Sequence, residues 1–302
     1  MTSAAPATTA TSAPALGLLL DVDGPIASPI TRSINLPAIT RDLVALADAG
    51  VPLIFNTGRS DAFIRTEVVA PLIAAGLPDH ARVHGVCEKG AVWFSIGSRF
   101  DGGMGQIQVD DSLAMPADFA DEMRDLVVSD FGESVFFDET KRAMVSVEQL
   151  TTIDTATYLP IQKRFDELAM QALTRRGYGV ERLDDVRRDA NGDVQWRIDP
   201  TIISTDVESI LLGKDLGARR ALELLTADGP LPLSWRTVGD SRSDYAMADW
   251  LHAAGYDVAH VDVRPSDGVP AKTYPILTSA SGAIHDEAGA EFLAGWLGEV
   301  SR

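Results

Sequence analysis

Cysteine is almost absent: Cys87 stands alone in 302 residues. Neither an intrachain disulfide framework nor a cysteine-based zinc site can form, and the residue is expected as a small buried hydrophobe. Positive charge is scarce as well. Lys and Arg total 26 against 44 Asp and Glu, a formal net charge of -18. Such a chain repels phosphate backbones and anionic lipid heads, so nucleic acid is excluded as a default partner. Long apolar runs are missing too. The run Ala15 to Leu20 ends at Asp21, too short for a secretory h-region or a membrane span, so a cytoplasmic protein with no membrane partner is expected. There is no internal repeat and no heptad run, and Gly102-Gly103-Met104-Gly105 lacks the spacing of a nucleotide fingerprint. What is present is ordinary globular composition, 45% hydrophobic and 23% charged, in a length that suggests roughly two domains.

Residues 1–15, nearly all Ala, Thr, Ser and Pro at their start, are expected as a disordered tail. From Leu16 strand-like and helix-like segments alternate. Leu16 to Leu20 is a continuous apolar run suited to a buried parallel strand, Leu36 to Ala49 has helical spacing and stops at Gly50, Val51 to Phe55 is the next strand, and Asp61 to Ala75 the next helix. The middle third changes rhythm. Alternating strands are expected at Ala91 to Ile96, Gln106 to Val109, Ser134 to Asp138 and Ala143 to Val147, with helices over Pro116 to Phe131 and Leu159 to Arg176. Asn191-Gly192 between Gly179 to Leu183 and Val194 to Ile198 predicts a hairpin. After Asp199-Pro200 the β-α rhythm resumes. The expected fold class is α/β, a doubly wound, mainly parallel Rossmann-like core sheet over 16–98 and 200–302, interrupted by an inserted α+β cap over 99–199.

Chemistry concentrates at strand ends. Asp21 and Asp23 leave the first strand; at ~3.3 Å per residue, positions two apart share a face about 7 Å apart and can converge on one ligand. Thr57-Gly58-Arg59 follows the second strand, where a hydroxyl and the amides of the coming helix can meet an anion. Gly239-Asp240-Ser241-Arg242-Ser243-Asp244 follows a later strand and adds two more carboxylates. Four acids at the ends of one sheet call for a cation, and hard oxygen ligands imply Mg²⁺. His80 and His84 are four apart, but Pro78 precedes them and a strand begins at Val83, which disfavours a helical metal pair. The five tryptophans are scattered and read as packing, with Trp196 the one placed in the cap.

The ordered set Asp21-Val22-Asp23-Gly24, Thr57-Gly58-Arg59, a lysine at a helix start, and Gly239-Asp240-Ser241-x-x-Asp244 resembles the haloacid dehalogenase superfamily of phosphohydrolases. The insertion resembles the type IIB cap of the Cof-like sugar phosphatases. The resemblance implies Asp21 as nucleophile, Asp23 as the acid and then base, and Thr57, Gly58 and Lys214 as phosphate-binding residues. It further implies Asp21, Asp240 and the backbone carbonyl of Asp23 around Mg²⁺, with Asp244 completing or orienting that shell. Arg219 or Arg220 could substitute for Lys214, because the usual Lys-Gly is Lys214-Asp215 here. Pro25 stands where Thr is common and removes an N–H, so its turn must be satisfied differently. Glu88-Lys89-Gly90-Ala91 falls at the cap entrance, a position for a substrate-facing or hinge role. The implied function is hydrolysis of a small phosphorylated metabolite, a sugar phosphate; a phosphosugar mutase would use the same nucleophile. A D-x-D glycosyltransferase leaves the later motifs without a role, and a non-catalytic binding module leaves Asp21 and Asp23 without one.

Overall fold

The computed structural model describes residues 12–302. The expected tail over 1–15 lies mostly outside them, but at its end Pro14 is tied down, its carbonyl accepting from the Leu233 amide at 2.9 Å. No helix among the described residues is long and apolar enough to cross a membrane.

The chain opens with β1 (Leu16–Leu20), α1 (Pro37–Asp48), β2 (Leu53–Asn56) and a helical stretch of α2 (Asp61–Ile64), one π-helical turn Arg65–Val69 and α3 (Ala70–Ala74). The widened turn has a local cause: Pro71 cannot donate to Glu67, and the Ala70 amide reaches back to Arg65 instead. β3 (Val83–Cys87), β4 (Val92–Ile96) and β5 (Gln108–Val109) follow. The middle segment supplies α4 (Ala117–Leu126), β6 (Val135–Phe137), β7 (Val145–Gln149), α5 (Thr155–Arg175), β8 (Val180–Arg182), β9 (Asp185–Arg187), β10 (Trp196–Pro200) and β11 (Ser204–Ser209). The chain then closes with α6 (Lys214–Asp228), β12 (Ser234–Gly239), α7 (Tyr245–Ala253), β13 (Asp257–Asp262), β14 (Ile276–Leu277) and α8 (His285–Val300).

Two sheets result. The larger has the order β14-β13-β12-β1-β2-β3-β4-β5, parallel from β14 through β3 and antiparallel over its last two strands. Leu18, Leu19 and Leu20 of β1 are wholly buried because both faces of the sheet are covered, which is why the strand is continuously apolar. The smaller sheet, β6-β7-β11-β10-β8-β9, is antiparallel except for the β10–β8 pair. Val145, Val147, Ile198 and Val207 on one of its faces pack against Phe119 and Met123 of α4 and Phe165, Ala169 and Leu173 of α5. The fold class is therefore the expected one, a mainly parallel core sheet with a second α+β layer.

Three local expectations change. Cap boundaries at 99 and 199 do not follow the sheets: β5 pairs with β4 in the larger sheet, and β11 pairs with β7 and β10 in the smaller. The β11 sequence Ser-Thr-Asp-Val-Glu-Ser is too polar on one face to announce itself as a buried strand. The predicted hairpin across Asn191-Gly192 is absent, since β8 runs parallel to β10 and turns instead into β9. Asn191-Gly192 does turn, held by Asp189, whose Oδ1 accepts from the Asn191 and Asp193 amides. Finally, α5 begins at Thr155 rather than Leu159, because Asp154 caps it by accepting from the Thr157 amide at 2.9 Å.

Candidate active site

In the larger sheet β1 lies between β2 and β12, so the strand order reverses there. That reversal opens a crevice at the carboxyl ends of the strands. Asp21 follows β1 and Asp240 follows β12, on either side of the crevice. The turn after Asp21 needs nothing from Pro25: the Ile26 and Ala27 amides both donate to the Val22 carbonyl, at 3.1 and 2.7 Å, and the Gly24 amide to the Ala27 carbonyl. Gly24 is at φ +96°, and a Cβ there would lie 2.7 Å from Asp240 Cγ. Glycine is thus required both by the backbone and by the approach of Asp240.

Lys214 is the first residue of α6, and its ammonium has three acceptors: Asp21 Oδ1 at 2.7 Å, Asp244 Oδ1 at 2.5 Å and the Asn56 carbonyl at the end of β2 at 2.9 Å. All three N–H bonds are engaged. Burial would depress this ammonium, but Asp21 and Asp244 outweigh it and hold it above its ordinary value. Burial and the Asp244 carboxylate push Asp21 well up, Lys214 only partly opposing. Asp240 is pushed up to about 6, by burial and then by Asp244. Asp244 is buried too, but Lys214 and Ser241 overcome that penalty and keep it below the usual range. Arg219 and Arg220 are elsewhere, engaged with Glu223 and, for Arg220, with Asp110. They do not replace Lys214.

Asp21, Asp240 and Asp244 each place a carboxylate oxygen within 4.8 Å of the others. Crowded acids, Asp21 and Asp240 among them with raised proton affinity, and oxygen-only donors fit a hard divalent cation. Asp244 has little left to offer one directly: Oδ1 takes Lys214, and Oδ2 accepts from the Ser241 hydroxyl at 2.7 Å and the Ser241 amide at 2.9 Å. Its geometry is that of a brace. Asp23 is not in the cluster. Its carboxylate turns to Arg59, which grips both oxygens at 2.8 and 3.0 Å. Thr57 is buried, with Oγ1 accepting from the Arg59 amide. Asp21, Asp23, Thr57, Gly58 and Lys214 nonetheless line one cavity of about 910 Å³, with Asp244 and the cap residues Arg197, Asp199 and Asp206.

The second face of the smaller sheet closes that cavity. Ser146, Glu148, Arg197, Asp199, Asp206 and Glu208 alternate with the apolar residues of β7, β10 and β11, so they project away from α4 and α5. Lys89, from the larger layer, reaches Asp199 at 2.8 Å and Glu208 at 2.9 Å, and Glu148 lies 3.3 Å from Arg32 and 3.6 Å from Arg59. Sequence reasoning singled out none of Glu148, Asp206 or Glu208, and gave Arg59 a place in a motif but no role. The alternation in Val-Ser-Val-Glu and Trp-Arg-Ile-Asp carried the signal for a polar cap face.

No family model and no curated protein matches this sequence. Solved structures do: the fold is that of the haloacid dehalogenase-like hydrolases. The C-terminal domain of trehalose-6-phosphate phosphatase from C. albicans superposes with a TM-score of 0.61 at 14% identity, over 95% of this chain and 93% of that one. A haloacid dehalogenase-like hydrolase from Bacteroides thetaiotaomicron gives 0.56 at 11% identity over 93% and 98% of the two chains. A haloacid dehalogenase subclass IIB sugar phosphatase gives 0.51 at 13% identity, again over 93% and 98%.

Proposed function

We propose that this protein is a Mg²⁺-dependent phosphatase that hydrolyses a small phosphorylated metabolite, a sugar phosphate, through a phosphoryl group carried on Asp21. The observation that carries the reading is the Lys214 ammonium fixed between Asp21 and Asp244 at the crevice of the parallel sheet, with Asp240 alongside. That is a positioned nucleophile beside fixed positive charge, which phosphoryl transfer requires. The fold shared with a sugar phosphatase and a trehalose-6-phosphate phosphatase supports the substrate class.

Asp21 attacks phosphorus as the bond to the leaving oxygen breaks, and Asp23 gives that oxygen its proton. Asp23 then takes a proton from water as the water attacks the phosphoryl group, releasing inorganic phosphate and restoring Asp21. Arg59 positions Asp23 and gives up one of its two bonds when that oxygen carries the proton. Thr57 and Gly58 hold the phosphoryl oxygens, with Lys214 turning one N–H to them from its present acceptors. Asp21 and Asp240, with Asp244 as brace, would hold Mg²⁺, whose bound charge neutralises that of the phosphoryl group. The cap excludes bulk water and macromolecules, which favours small substrates.

Phosphate release from phosphorylated sugars, polyols and glycerates with Mg²⁺ tests this. Turnover should vanish with chelator and fall at least ~10⁴-fold in Asp21→Asn, as nucleophile loss does elsewhere. Turnover retained in that variant overturns the assignment, and an isomeric sugar phosphate without free phosphate replaces it with a mutase.

A further inference from the structure

A second cavity, of about 450 Å³, adjoins the first. The two share Asp23, Gly58, Thr201 and Asp206, but the smaller includes neither Asp21 nor Lys214. It therefore opens on the side of Asp23 and Asp240, without the nucleophile in its wall, where the organic part of a substrate would sit if Asp23 protonates the leaving oxygen. This inference rests on that reading of the site.

The cations lining this cavity are Arg32, Arg59, Lys141 and Arg264. Three of them hold carboxylates: Arg32 pairs with Glu148, Arg59 with Asp23 and Glu148, and Arg264 with Asp267. The acids are accounted for as well. Asp206 accepts from the Ser146 hydroxyl at 2.6 Å and lies 3.8 Å from Lys89, while Asp240 belongs to the acidic cluster beside Asp21. Lys141 differs: its Nζ donates to the Gly58 carbonyl at 2.6 Å and pairs with no carboxylate among the described residues. Glu88 feels its charge, but both Glu88 oxygens accept backbone amides.

The position of Lys141 is built. It lies between β6 and β7 of the cap, on a segment fastened to the larger layer on both sides. The Thr140 hydroxyl donates to Ser60 Oγ at 2.7 Å, Arg142 grips Asp61 at 2.6 and 3.0 Å, and the amides of Arg142, Ala143 and Met144 donate to Glu88. An ammonium held beside the Thr57-Gly58 turn with no carboxylate in contact among the described residues, facing a leaving-group cavity, selects for negative charge. We propose that Lys141 is a specificity-determining residue that takes a second anionic group of the phosphorylated substrate, a carboxylate or a second phosphate.

Matched substrate pairs test the proposal: 3-phosphoglycerate against glycerol 3-phosphate, 6-phosphogluconate against glucose 6-phosphate, and fructose 1,6-bisphosphate against fructose 6-phosphate. In at least one pair kcat/KM should favour the more acidic member by roughly tenfold or more, chiefly through KM. The successful pair tells carboxylate from phosphate. Lys141→Met should bring that ratio close to one, and Lys141→Arg should restore most of it. Equal kcat/KM within every pair, or a ratio unchanged in Lys141→Met, overturns the proposal while leaving the phosphatase reading in place. Calorimetric binding of the same pairs to Asp21→Asn repeats the comparison without turnover: preference for the acidic member lost on adding Lys141→Met supports the proposal, and no preference refutes it. Absence of phosphate release from every compound would count against the phosphatase reading instead.

Discussion

At the scale of single residues, the site depends on one ammonium among carboxylates. Lys214 is shared between Asp21 and Asp244, both buried, so removing it leaves two carboxylates facing each other without their counter-charge. Breaking a buried ion pair from one side costs about 3–5 kcal/mol. Lys214→Met should lose stability of that order in urea denaturation at pH 7, and millimolar Mg²⁺ should recover part of it by binding the acids. A variant as stable as the wild type would mean that Lys214 does not compensate them. The residues of this cluster were legible in the sequence because each sits at a strand end or helix start and is announced by its own neighbours. Arg59, although it stands in a recognised motif, was not assigned a role, because its partner Asp23 is 36 residues away and no periodicity links them. Lys89 stands in the stretch expected to be substrate-facing or a hinge, but its partners Asp199 and Glu208, 110 and 119 residues on, are equally beyond any periodicity.

At the scale of elements, the junction after β3 carries unusual backbone. Glu88, Lys89 and Gly90 have φ of 48°, 53° and 105°, three consecutive residues in the left-handed region, two of which carry side chains. Such conformations cost of order 1–3 kcal/mol each and persist where surroundings impose them. Here the surroundings are visible: Glu88 accepts three amides from the segment before β7, and Lys89 extends to β10 and β11. Glu88→Ala should leave those amides short of acceptors, at about 1–3 kcal/mol apiece when buried. Proteolysis near Asp138–Met144 should accelerate, with Glu88→Gln intermediate because its amide oxygen still accepts. Unchanged cleavage would show that the other contacts fix the segment alone. Sequence pattern located nearly every core strand, since burial on both faces produces continuous apolar runs. It gave β5 to the cap and marked no strand at β11, where two residues or an alternating polar face leave pairing partners to be chosen by tertiary contacts.

At the scale of the whole molecule, the charge of -18 resolves into local devices. Asp21, Asp240 and Asp244 form one cluster, and the cap acids Glu148, Asp199 and Glu208 are met by Arg32, Arg59, Arg197 and Lys89. One contribution to the pH response of folding comes from a base at a distance from the cavities. His260 on β13 is fully buried, its Nδ1 2.7 Å from the Thr237 hydroxyl and its ring 4.2 Å from that of Tyr245. Burial lowers its pKa from 6.5 to about 4. The folded chain therefore resists a proton that the unfolded chain accepts. That part of the stability is fully present above pH 6.5, declines as pH falls, and is lost once pH passes the folded value near 4. At 1.36 kcal/mol per pKa unit, the change across the window is on the order of 3 kcal/mol. Over the same interval the raised Asp21 and Asp240 carboxyls take up protons in the folded chain and offset part of that loss, so the His260 share is read in urea denaturation at pH 7 and pH 4.5 as the difference between the wild type and a His260 variant. His260→Gln, which cannot take up the proton, should lose less stability than the wild type between the two pH values, by on the order of 3 kcal/mol. Identical slopes would remove His260 as the source and assign the acid sensitivity to the carboxylates.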